Sequence, residues 1–176
     1  MKSLFATAAA LALIAVPAFA QSASQQDKTF AAEAAKGGKM EVDLGRYMEE
    51  HGHNVKVREF GHRMATDHTA ADTKLRAAAT QSTVQLPAGA NPDEKKTLTE
   101  LSKLKGAALD RAYIDDMVKD HQKDVQLFQQ EAQSGTNPQL KSFAQETLPI
   151  LQQHLSQAQE LQKTVTSEAG GSARHR

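Results

Sequence analysis

Cysteine and tryptophan are absent from this chain of 176 residues, and aromatic residues make up only 5% of it. Without cysteine there can be no disulfide, no thiolate zinc site, no iron–sulfur cluster and no thiol nucleophile. An excess of one charge is missing too. The 21 lysines and arginines are matched by 21 aspartates and glutamates, which leaves no basic footprint for nucleic acid. No phosphate-cradling glycine loop is present, because Gly37 and Gly38 lie inside a helical pattern, and no serine has a nucleophile-elbow context. The chemistry left over belongs to histidine, carboxylate, methionine or hydroxyl.

Long apolar runs are also scarce, the longest being Leu4 to Val16. Lys2 precedes it and the small-x-small triplet Ala18, Phe19, Ala20 follows it, so residues 1–20 are expected to be a secretory signal peptide. The run is too short for a comfortable transmembrane span, and no later segment approaches about 18 uncharged apolar residues. Position 21 is Gln rather than Cys, which offers no lipid attachment there. The reading is an exported, periplasmic protein without a transmembrane span. One domain is expected over residues 21–166, followed by a disordered tail at 167–176.

What is abundant is Ala, Gln, Lys, Glu and Leu, all of which tolerate a helix, so the fold class expected is all-α. Punctuation divides the chain. A first helix is expected from Asp27, read as its N-cap, to about Glu50, with a turn at His51 to Asn54. Asn54 caps a second helix that reaches about Thr80. After the loop around Pro87, Asn91 and Pro92 open a short helix ending near Gly106. Asp110 opens a third long helix to about Ser134. Gly135, Thr136, Asn137 and Pro138 then stop and restart the chain, with Asn137 capping a fourth long helix that Pro149 kinks without ending it.

Apolar residues recur in each long segment at alternating steps of three and four, and each seam holds one polar, metal-competent residue. The second helix places His68 among Val57, Phe60, Met64, Ala71 and Leu75. The third places His121 among Ile114, Met117, Val125, Phe128 and Ala132. The fourth places His154 among Leu140, Ala144, Thr147, Leu151, Ala158, Leu161 and Val165. The first places Glu41 among Phe30, Ala34, Gly37, Leu44 and Met48. Glu41 and His68 lie 12 and 15 residues from a bend at His53, an axial mismatch of about 4.5 Å, and His121 and His154 repeat that offset about Thr136. Each pair can therefore meet near mid-helix. An echo at a constant offset of 53 links Phe60, Met64, Asp67 and His68 with Tyr113, Met117, Asp120 and His121, suggesting two related halves. Asp67 and Asp120 stand about 100° from their neighbouring histidines, placed to accept a hydrogen bond from a histidine of an adjacent helix or to act as peripheral ligands.

Phe30 with Gly37, Gly38 and Glu41 to Gly45, then Phe60 to His68, Tyr113 to His121, and Leu148, Pro149, His154 and Leu155 together resemble the bacterial exported family called domain of unknown function 4142, over residues 27–162. The resemblance implies a ferritin-like four-helix bundle with a short extra helix in a long crossover connection. It also places Glu41, Asp67, His68, Asp120, His121 and His154 on the family's recurring polar positions. The chain departs from di-iron ferritins, because Ala65 and Leu151 stand where Glu would precede His68 and His154 by three residues.

Two explanations of the core cluster stay open. Three imidazoles and Glu41 suit a transition metal, zinc or copper ahead of iron or manganese, held for sequestration or sensing. Alternatively, Glu41, Asp67 and Asp120 pair with the histidines in a structural polar layer of an envelope stress or interaction protein, whose Gln-rich surface is a solvated face or docks a partner. A redox enzyme with an open coordination position is a third, weaker reading. Met64 and Met117, one turn before their histidines, are core filling or thioether ligands for copper. His51 and His53 read as turn residues, and His62 faces away from the seam.

Overall fold

The computed structural model describes residues 22–88 and 92–172, with side chains at 22–88 and 95–167. The expected signal peptide and the last four residues of the expected tail lie outside these. Five helices carry the described chain: α1 Gln25–His51, α2 Val55–Gln81, α3 Pro92–Ser102, α4 Ala107–Ser134 and α5 Pro138–Ser172. Among the described residues there is no strand, and no helix is long and apolar enough to cross a membrane.

Most helix ends follow from their capping residues. Asn54 caps α2 by accepting from Lys56 N at 2.8 Å, and Asn137 caps α5 by accepting from Gln139 N and Leu140 N at 3.2 and 3.1 Å. The start of α1 differs from expectation. Ser24 is the N-cap and Asp27 the third helical residue, in a reciprocal pair: Ser24 Oγ accepts from Asp27 N, and Asp27 Oδ2 accepts from Ser24 N. The short helix ends at Ser102, before Gly106, and α4 begins three residues ahead of Asp110. Gly106 precedes it with φ 61°, a conformation that glycine adopts without steric penalty. Helix α5 passes through Pro149 and continues to Ser172, into the segment expected as a tail.

The helices form a ring in which α1 packs on α2 and α4, and α5 packs on α4 and α2. Two carboxylates fix its directions. Asp110, at the start of α4, accepts from His53 N and Asn54 N at 2.8 and 2.7 Å, in the α1–α2 turn. Asp27, at the start of α1, accepts from Thr136 N and Asn137 N at 2.9 and 3.3 Å, in the α4–α5 turn. Each first helix of a hairpin thus begins where the other ends. Since α2 ends beside Asn137, through a 2.7 Å bond from Ser82 Oγ, the connection to α4 must climb the whole bundle. Leu98 and Leu101 of α3 pack onto the core on the way. This is the ferritin-like arrangement, two antiparallel hairpins joined by a long crossover.

The symmetry corrects the expected internal echo. Asp27 and Asp110, Phe30 and Tyr113, Glu41 and Asp124, Gly52 and Gly135, Asn54 and Asn137, and Phe60 and Phe143 all correspond at an offset of 83. The halves are α1–α2 and α4–α5, whereas the offset of 53 matches α2 with α4, which occupy different places in the two hairpins.

Two apolar clusters fill the ring. One contains Leu44, Met48, Phe60, Met64, Tyr113, Ile114, Met117 and Leu161, and the other contains Phe30, Leu75, Phe128, Leu140, Phe143 and Leu151. Along every long helix the boundary between them falls at one polar residue: Glu41, His68, His121 or His154.

Candidate metal centre

These four side chains meet. Glu41 is 1% exposed, His68 5%, and His121 and His154 are both fully buried. The imidazole centroids form a nearly equilateral triangle, 5.6 Å from His68 to His121 and 5.4 Å from each of these to His154. One nitrogen from each ring lies within 4.8 Å of the others. The mid-helix spacing argument thus places all four at one level, because each helix reaches that level midway between its ends.

Each ring is oriented from behind. His121 Nδ1 donates to Met117 O at 3.0 Å, within its own helix. His154 Nε2 donates to Asp67 Oδ2 across the α2–α5 contact at 2.8 Å. His68 Nδ1 lies 3.0 Å from Glu41 Oε2. The remaining nitrogens, His68 Nε2, His121 Nε2 and His154 Nδ1, are buried without a hydrogen-bond partner. A carbonyl or carboxylate acceptor fixes the proton on the bonded nitrogen, so His121 Nε2 and His154 Nδ1 present lone pairs. Each such group left unpaired in a core costs about 1–3 kcal/mol.

Asp67 is itself held by Arg63, whose Nε donates to Asp67 Oδ2 at 3.2 Å while its two terminal nitrogens reach Gln157 and Gln153 on α5. Asp120 takes a different position. Its Oδ1 lies 3.4 Å from Lys123 Nζ at the surface, and it stands outside both residue groups that could hold an ion. The second of those groups is Glu41, His121 and Asp124. Asp124 is absent from the sequence reading, since beside Lys123 it looks like part of a charged outer face. Its signals were the three-residue step from His121 and the correspondence with Glu41 in the other hairpin.

Burial sets the charges. It lowers the basicity of His68 well below the ordinary imidazole value, helped by His121 and His154, and pushes His121 down to about 3. Burial also lowers His154, against the pull of Asp67. Glu41 is raised well above the usual carboxylate range by burial and by the negative charge of Asp124 and Asp120, and burial brings Asp124 to about 7. The imidazoles are accordingly neutral at neutral pH, the form that binds metals.

A groove of about 90 Å³ leads from the surface between α2 and α5 to this centre. Asp67, Ala70, Ala71 and Lys74 line one wall, Thr147, Ile150 and Leu151 the other, and His68 and His154 form its floor. Met64 and Met117 belong to the adjoining apolar cluster. His62 turns outward to Glu49 at 2.9 Å, and His51 rests against Tyr47 at the bundle end. His175 lies outside the described residues.

Residues 14–161 match the family described as domain of unknown function DUF4142. Among solved structures, a DUF305 fragment from Deinococcus radiodurans is similar, with a TM-score of 0.70, 14% identity, and coverage of 81% of this chain and 99% of that one. At that identity the likeness is one of fold. A comparison with curated proteins finds no match.

Proposed function

This chain belongs to the domain of unknown function 4142 family, and we propose that it is an exported, periplasmic helical bundle that holds a transition metal in its core, for sequestration or sensing. The observation that carries the reading is the convergence of three buried imidazoles, which bring one nitrogen each within 4.8 Å of the others and each keep one buried nitrogen without a hydrogen-bond partner. A cluster serving only as structure would gain by pairing those nitrogens with one another or with nearby donors.

Three neutral imidazoles favour zinc or copper over manganese or iron. His68, His121 and His154 supply the nitrogens. Glu41 either completes the set or orients His68, as Asp67 orients His154. Asp120 serves through charge, raising Glu41 from the periphery. Elemental analysis of the exported chain after exposure to zinc and copper tests the reading. At least one ion per chain, together with a rise in melting temperature that His121→Ala abolishes, is the expected result. Substoichiometric metal in the wild-type protein would refute it.

A second reading draws on the same partners. Each imidazole already has one satisfied nitrogen or a close carboxylate, as a structural polar layer of an envelope protein would require. That reading expects identical melting with and without a chelator.

A further inference from the structure

Beside the three imidazoles lies a second set of ligand groups that shares only His121 with them. Glu41, His121 and Asp124 each place one candidate ligand atom within 4.8 Å of the other two. Glu41 comes from α1, and His121 and Asp124 lie one turn apart on α4. Glu41 Oε2 faces His68 Nδ1, while Oε1, buried, lies 3.2 Å from His121 Nδ1 and has no hydrogen-bond partner. A cavity of about 20 Å³, bordered by Gly38, Glu41, His68, Asp124 and Thr147, adjoins it. That is space for about one water molecule or one ion. Gly38 borders it, and a Cβ there would stand at ordinary contact distance, 3.8 Å, from His68 Nδ1.

The two carboxyls occupy equivalent positions in the two hairpins, so the fold brings them together at the centre of the bundle. A pair of adjacent carboxyls in a core either shares a proton or holds a cation between them. From this geometry we infer that the centre is binuclear, with a second divalent cation held by Asp124 and Glu41 next to the ion held by the three histidines. Glu41 spans both positions. The two differ in character, because nitrogen ligands suit a borderline ion such as zinc, whereas an oxygen-rich set suits a harder one such as manganese.

This inference rests on the metal reading above, and its test separates the two. The full chain is equilibrated with zinc and manganese together, freed of unbound ions, and its total ions per chain counted by elemental analysis. Two ions are expected in the wild type and one in Asp124→Asn, a nearly isosteric change, with the zinc-induced rise in melting temperature retained in the variant. One ion in the wild type would overturn the second position while leaving the imidazole site intact. Two ions in Asp124→Asn would overturn the assignment to Asp124. No ion in the wild type would overturn both readings. Should the variant not fold, the wild-type count alone decides.

Discussion

The four core residues were legible because each is an exception. A histidine or glutamate in an otherwise apolar seam must be buried once the helix packs, and the turn positions set its height. The seam pattern does not show which nitrogen of each ring points inward, since that depends on Met117 O, Asp67 and Glu41, contacts made within one helix or across two. Asp67 could be placed beside a neighbouring helix's histidine from its 100° offset alone, but Asp120 has the same offset and turns to Lys123 instead. The difference is that Asp67 faces α5 across a contact that Arg63 closes. Asp67→Asn keeps the shape while weakening the acceptor that fixes His154. It should lower metal affinity about 10- to 100-fold with little change in metal-free stability, as measured by competition with a chromophoric chelator.

Helices were readable to within a few residues wherever an Asn, Ser or Pro marks the end, and least so around α3 and α4. There Asp110, which looks like a cap, gives its carboxylate to the α1–α2 turn and leaves α4 to start from Gly106. The closest approach of α1 and α2 was also hidden. A Cβ at Gly61 would stand 2.7 Å from Gly45 O and 2.9 Å from Glu49 N, and one at Gly45 would stand 2.7 Å from Gly61 O. Backbone atoms cannot rotate away as side chains do, so the helices themselves would have to part. Gly61→Ala should cost about 1–3 kcal/mol from overpacking, despite the better helix propensity of alanine. Gly38→Ala meets only ordinary contact and should be neutral or stabilising. Urea unfolding of both variants provides the comparison, and equal stability would show that the crossing has room.

At the scale of the molecule, the bundle topology followed from four amphipathic segments and one long connection, but its symmetry did not. The echo at 53 is carried by residues that share a burial level, while the true repeat at 83 preserves the caps, turns and clasps of each hairpin. The molecule should also respond to pH through a group far from the centre. Glu131 is 1% exposed, its Oε2 accepts from Gln26 Nε2 at 3.2 Å and its Oε1 is unpartnered. Burial, with Asp27 close by, raises it from the ordinary 4.5 to about 7. Its neutral form therefore contributes stability that is fully present below about 4.5 and is lost as pH rises through about 7. Asp27 runs the other way: although burial opposes ionisation, hydrogen bonds from Thr136 and Ser24 hold it below its ordinary 3.8, so its contribution fades on acidification. Glu131→Gln should gain melting temperature relative to the wild type as pH is raised from about 5 to about 8. A difference that stays constant across that range would exclude the effect.

The reciprocal clasps of Asp27 and Asp110 make each hairpin the other's lock. The crossover then serves as a tether, raising the local concentration of two partners that already fit one another. Severing it at an engineered protease site between α2 and α3 should leave two fragments that travel as one species through gel filtration and come apart only in denaturant. Replacing both aspartates with alanine should let the severed fragments drift apart in native buffer.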